Sequence, residues 1–241
     1  MLVKCTHKGQ SWERGDSRSL FNDNLRRQAE DWLYRRQAIS YVWNQDGYRA
    51  PAWTDVDWPA SNVVMGCSYV SGTGLAVEHT LPYQLQMITG IAHVNLGYPG
   101  SGSDIILDNS LRMIDRGIRP ARVIIVVPEL TRLTYYKGTS IVNHLPMGTL
   151  APMYADWITH RPNAEQHGWM KLRGAVALWQ QVGVPVSLFE RIPIEGYALG
   201  PRLPNQIDLA RDIHVDATGY EYAHCGAATQ GLWADFIAST L

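Results

Sequence analysis

The chemistry-bearing residues of this chain are a hydroxyl and an imidazole that lie far apart along it. Ser68 sits in the run Val63-Val64-Met65-Gly66-Cys67-Ser68-Tyr69-Val70-Ser71-Gly72. The run opens apolar, as a buried strand does, and ends in small residues. Gly66 and Gly72 on either side allow a sharp turn where a Cβ would clash. A serine on such a strand-to-helix turn stands clear of the sheet edge, the placement a nucleophile needs. A hydroxyl nucleophile also needs a base, an acid group to orient the base, and donors for the oxyanion. The candidate base is His224, with Glu221 in the same loop. On a turn, that spacing lets the carboxylate accept from one ring nitrogen while the other faces Ser68. Asp212-Ile213-His214 is an alternative acid/base pair, because on extended chain its spacing puts both side chains on one face.

These side chains need a frame that brings them to one edge. Asn22 to Gln37 has the spacing of an amphipathic helix through Leu25, Ala29, Trp32 and Leu33. Ile39 to Trp43 reads as a strand, and Asn44 to Ala60 is rich in turn residues. The serine strand follows at Asn62–Met65, then a helix over Leu81–Thr89 with Pro82 in its first turn. A strand at Ala92–Leu96 runs into a second glycine-rich turn, Gly97 to Ser103. A helix over Asp104–Arg116 stops at Gly117, and Val123–Val127 is a β-branched strand closed by Pro128. Its unalternating apolar character fits a parallel strand covered on both faces. Residues 129–162 read as an irregular insertion or lid, long for a plain connection. A helix over Asn163–Val182, a strand over Val184–Phe189, a loop to Leu209 and a closing helix over Gly226–Thr240 complete the chain.

The alternation implies an α/β fold, a three-layer sandwich with a mostly parallel central sheet and right-handed crossovers. Ligands of such sheets bind beyond the carboxyl ends of the strands, where both glycine-rich turns fall. The expectation is a single domain over 1–241, with an N-terminal extension at 1–60 and the insertion at 129–162.

A formal net charge of -1 without a block of like charge argues against a nucleic-acid partner. No apolar stretch reaches the length of a membrane span. Met1 to Lys8 lacks the apolar centre of a signal peptide, so the expected location is cytoplasmic, with release or incorporation into a particle as the other route. Three cysteines, Cys5, Cys67 and Cys225, fit reduced thiols rather than a disulfide framework. His144, His160 and His167 lack metal-ligand spacing, and neither glycine turn has the Lys-Ser/Thr of a nucleotide loop, so no metal or cofactor is expected. Nine Trp and twelve Tyr against three Phe suit packing and, at the surface, a sugar-binding groove.

Gly66-Cys67-Ser68-Tyr69 with Gly72 resembles the first motif of the SGNH (GDSL-like) hydrolases, with Cys67 where the family has Asp. Asn95 to Gly100 is similar to the second motif, and Glu221 to His224 to the final Asp-x-x-His, with Glu for Asp. The resemblance covers roughly residues 60–240. It implies an SGNH-hydrolase or flavodoxin-like sandwich in which Ser68 is the nucleophile, His224 the base and Glu221 its partner. It also implies that the Gly100 N–H joins that of Ser68 in the oxyanion hole. The family's third motif supplies an Asn after a strand, whereas here Val123–Val127 runs into Pro128-Glu129-Leu130-Thr131-Arg132. Such a donor is worth on the order of 3 kcal/mol in the transition state. Thr131, Arg132 and Asn143 are the candidate substitutes, and Arg132 could also hold an acidic substrate.

The expected function is a serine esterase acting on a small acyl ester, such as a carbohydrate O-acetyl group, with a small-molecule or glycan ester as its partner. The alternative is a catalytically weak SGNH-fold module that binds glycans or serves as a particle or surface-assembly subunit. The changed motif positions favour that alternative.

Overall fold

A computed structural model describes residues 2–4, 11–13, 16–28, 30–137, 140–144, 160–191, 200–204, 213–214 and 224–241, with the backbone alone at 135–137, 140–144, 161 and 213–214. Among these, the helices are α1 (Arg18–Arg27), α2 (Ser68–Ser71), α3 (Leu81–Thr89), α4 (Ser103–Asp115), α5 (Arg161–Gln181) and α6 (Ala227–Thr240). The strands are β1 (Ser61–Gly66), β2 (Ala92–Gly97), β3 (Arg122–Val127), β4 (Leu133–Lys137), β5 (Ser140–His144), β6 (Val186–Glu190), β7 (Ile213–His214) and β8 (His224–Cys225).

The central sheet has the order β2-β1-β3-β6, and every pairing in it is parallel. Its strands are apolar on both faces because both faces are covered. Val63, Met65, Val123 and Ile125 pack with Ile105, Ile106 and Met113 of α4 and Leu172, Ala175 and Trp179 of α5. The alternate residues Val64, Ile124, Val126 and Phe189 pack with Leu81 and Leu85 of α3 and Trp233, Ala234 and Ile237 of α6. The result is an α/β sandwich of three layers, with the flavodoxin-like strand order 2-1-3 at its centre. The predicted helices and strands between residues 61 and 127 are found to within a residue or two, since each closes on a Gly, Pro or polar turn.

The N-terminal region departs from expectation. The helix predicted over Asn22–Gln37 is instead α1, which starts earlier, with Ser17 as its N-cap accepting from the Leu20 N–H, and stops at Gln28. Only a short 3-10 turn, Leu33–Arg35, follows. Tertiary packing overrides the helical period: Trp32 and Tyr34 turn into an aromatic cluster with Trp12, Phe21, Tyr41 and Trp43. Ile39 to Trp43 is extended but joins no ladder among the described residues. Its Ser40 carbonyl instead accepts from Arg49 Nη2 at 2.8 Å. This region also reaches the main core. Leu2 and Val3 are buried in it, and the Val3 N–H donates to Asn109 Oδ1 of α4 at 2.9 Å. Within 129–162, expected to be irregular, β4 and β5 form an antiparallel hairpin with Leu133 opposite His144.

Candidate active site

Ser68 owes its position to β1, which lies between β2 and β3 at the point where strand order reverses from the centre. The chain leaves the sheet at Gly66, passes Cys67 and enters α2 with Ser68 as the first helical residue. The first N–H groups of a helix have no intrahelical acceptor, so the Ser68 amide is placed as a donor. Close packing fixes α2. A Cβ on Gly97 would lie 2.2 Å from the Ser71 nitrogen, so only glycine lets β2 approach α2 this closely. Asn95 then ties the two together through Nδ2, which donates to the Val70 carbonyl at 3.0 Å, while its Oδ1 accepts from the Gly97 N–H of its own strand at 2.9 Å.

The imidazole arrives from the other end of the chain. His224 Nε2 is 2.8 Å from Ser68 Oγ, across a sequence separation of 156. Ser68 is 8 % exposed. The Tyr69 ring flanks the imidazole with 5.0 Å between ring centroids. β8, which carries His224, leads at once into α6, whose Gln230 Nε2 donates to the Tyr69 carbonyl at 3.0 Å. The closing helix is thereby fastened to the nucleophile helix. In β7, His214 lies directly opposite His224 in the ladder, so the alternative histidine shares the same rim by backbone position. Glu221 and Asp212 lie outside the described residues.

The turn carrying Gly100 is drawn to the same edge. The Tyr98 N–H donates to the Gly66 carbonyl at 2.9 Å, and Ser101 Oγ donates to that same oxygen at 3.3 Å. Gly100 has a φ of 74°, a left-handed conformation that favours glycine. The turn therefore presents its backbone beside the start of α2.

Among the candidate substitutes for a further oxyanion donor, Arg132 reaches this edge. Its Nη1 donates to the Ser101 carbonyl at 3.2 Å. Thr131 is buried, and its hydroxyl donates to Glu129 Oε1 at 2.9 Å, so its proton is already committed. Asn143 lies in β5 opposite Thr134.

Sequence reasoning missed Arg191, which follows directly on β6, whereas Arg132 lies in the turn between β3 and β4. Its Cζ lies 4.1 Å from the centroid of the Tyr69 ring. Both guanidiniums act on the thiol next to the nucleophile. Burial pushes the Cys67 thiol up, but Arg132 and Arg191 outweigh it and hold the thiol below its ordinary range. A cation just after a parallel strand was the signal available, although the sequence does not say which of several such residues turns inward. Among the described residues, no group of three or more His, Cys, Asp or Glu side chains is arranged to hold a metal ion. No helix among them is long and apolar enough to cross a membrane.

No protein-family model matches this chain, and no curated protein sequence does. Solved structures similar to it at low identity include two esterase-family proteins. One is a G-D-S-L family lipolytic protein from Desulfitobacterium hafniense, at 15% identity and a TM-score of 0.45, over 76% of this chain and 99% of that one. The other is a carbohydrate esterase family 2 enzyme with a carbohydrate-binding domain from Corynascus thermopiles, at 14% identity and a TM-score of 0.42, over 81% of this chain and 68% of that one.

The described arrangement can share a proton between a hydroxyl and an imidazole. That pair lies at the carboxyl edge of a parallel sheet, with the Arg191 guanidinium against the neighbouring Tyr69 ring.

Proposed function

We propose that this protein is a serine esterase of the SGNH type that cleaves a small acyl ester, in particular an O-acetyl group on a carbohydrate. The observation that carries the reading is the 2.8 Å contact between Ser68 Oγ and His224 Nε2. That distance lies in the range required of a general base and its nucleophile.

In the mechanism, Ser68 Oγ attacks the ester carbonyl carbon while His224 Nε2 takes its proton. Glu221 orients the imidazole through the other ring nitrogen. The carbonyl oxygen becomes an oxyanion, held by the N–H groups of Ser68 and Gly100 and by the Arg132 guanidinium. As the intermediate collapses, the protonated His224 gives its proton to the departing alcohol and an acyl-serine remains. Water, deprotonated by His224, then attacks the acyl-serine, releasing the acid and restoring the Ser68 hydroxyl. A guanidinium in place of an amide supplies a full charge to the oxyanion in a site shielded from water.

Turnover of an aryl acetate by the wild-type protein and by Ser68→Ala tests the assignment. The variant is expected to lose activity by at least about a thousandfold. Equal rates in the two proteins would reject Ser68 as the nucleophile. Silence of the wild type against a wide acyl panel, with glycan binding intact, would favour the module reading.

A further inference from the structure

A single side-chain amide bridges the element that carries the hydroxyl and the element that carries the imidazole. Gln230 lies near the start of α6 and is buried. Its Nε2 donates to the Tyr69 carbonyl and to Cys225 Sγ, each at 3.0 Å. Tyr69 follows Ser68 in α2, and Cys225 follows His224 in β8. One NH2 group therefore bonds both the residue next to the nucleophile and the residue next to the base.

The partners settle which way the amide points. A peptide carbonyl can only accept, so the nitrogen, not the oxygen, faces Tyr69. An NH2 has two protons, one for each acceptor. The oxygen gains nothing from this orientation: among the described residues, the buried Gln230 Oε1 has no hydrogen-bond partner. A buried acceptor left unmade destabilises a fold, and methionine would fill similar space without one. Packing alone thus favours an apolar side chain at 230, and what the amide adds is its pair of bonds. Those bonds act where the fold is otherwise loosely determined. Ser68 follows a strand paired on both sides in the central sheet, whereas among the described residues β8 pairs with β7 and not with that sheet. The Tyr69 ring beside His224 is a tilted ring contact without a hydrogen bond's directionality.

We infer that Gln230 is a positioning residue, whose amide holds α2 and β8 together so that His224 Nε2 stays within proton-sharing distance of Ser68 Oγ. This deepens the reading of Ser68 and His224 as an esterase pair and rests on it. Gln230 bonds Tyr69 and Cys225 rather than the reacting atoms, so its loss is expected in kcat and not in KM. Proton transfer is steeply sensitive to the placement of the two groups, and a displacement of about 1 Å is enough to slow a reaction by about a hundredfold.

The test is Gln230→Met in the full chain, which removes both donors and the unpartnered oxygen together. With an aryl acetate, kcat is expected to fall about ten- to a hundredfold while KM and the midpoint of urea unfolding change little. Nitrogen NMR of the imidazole supplies a readout that a merely structural role would not move. At one pH, the His224 Nε2 resonance of Gln230→Met is expected to shift from its wild-type position toward that in Ser68→Ala, where the hydroxyl is gone. A resonance that stays in place overturns the assignment, whatever the variant's stability. In the wild type, the Gln230 side-chain N–H protons are expected to exchange with solvent far more slowly than those of an exposed glutamine. Exchange at the exposed rate overturns the assignment without any variant having to fold. Ser68-dependent turnover kept in full by Gln230→Met refutes the positioning role alone. Absence of turnover by the wild type on every ester, with the His224 resonance still moving, refutes the esterase reading instead.

Discussion

Glu13 offers a sharp test of how the N-terminal region is joined to the nucleophile helix. Its carboxyl is 1 % exposed and receives hydrogen bonds from Ser71 Oγ, at 3.0 Å, and from Thr73 Oγ1. Ser71 closes α2 and also donates to the Ser68 carbonyl at 3.2 Å. Burial raises the Glu13 pKa to about 8, against the opposing pull of Thr73, Arg49 and Ser71 and with a smaller push from Asp16. An unfolded glutamate ionises near 4.5, so between these values the native state keeps a proton that the unfolded chain has released. The sign follows by linkage: the group's contribution is full below the unfolded value and is lost as pH rises through the folded one. From about pH 5 to about pH 8 the loss is on the order of 3–4 kcal/mol. Glu13→Gln keeps the shape and one acceptor oxygen, puts an N–H donor where the acid carries its O–H, and cannot ionise. Urea unfolding of both proteins at the two pH values isolates the effect, because other titrating groups cancel in the difference. The stability of the wild type relative to Glu13→Gln is expected to fall by that amount on going to the higher pH. A difference that does not change with pH would refute the reasoning.

Three further outcomes follow from contacts near the site and in the core. Gly97→Ala would put a methyl group 2.2 Å from a backbone nitrogen of α2, so it is expected to cost about 2 kcal/mol or more in urea unfolding and to lower kcat by displacing Ser68. Asn95→Ala removes the bond that ties β2 to α2 and the bond that fixes the Gly97 N–H; a loss of roughly 2 kcal/mol is expected in urea unfolding, with kcat falling more than KM rises. Trp179→Ala empties a fully buried site in the core and removes the 2.9 Å bond that Ser110 Oγ accepts from Trp179 Nε1, so a thermal or urea measurement is expected to show a loss of about 3–5 kcal/mol.

The central sheet was legible because burial on two faces writes itself into sequence. Val63 to Met65 and Val123 to Val127 are apolar at every position, which fits no half-exposed element. Ser68 was legible from the same run, since a small-residue turn after a buried strand is a local signal. His224 could be proposed as a base from type and spacing, but its distance to Ser68 depends on how α6 closes the fold. The N-terminal region was misread for a physical reason. The spacing of Leu25, Ala29, Trp32 and Leu33 matches a helix, yet the aromatic side chains gain more by packing against Tyr34, Tyr41 and Leu75 than by continuing it. The hairpin of β4 and β5 had a signal that went unused: two β-prone runs separated by Gly138-Thr139. Glu13, Arg49 and Tyr41 gave no such signal. Their partners lie on distant segments, and nothing in the local sequence marks a carboxyl for burial. The skew toward Trp and Tyr also finds a structural use, since Trp12, Trp32 and Trp43 pack with the N-terminal cluster, Trp53 and Trp58 pack against the main core, and Trp179 and Trp233 are fully buried.

The most direct test of the account is covalent labelling with a fluorophosphonate, followed by mass-spectrometric mapping of the modified residue. One adduct is expected, on Ser68, formed far more slowly once His224 is replaced by Gln. An adduct on another side chain, or a Ser68 labelling rate unchanged by that replacement, would contradict it.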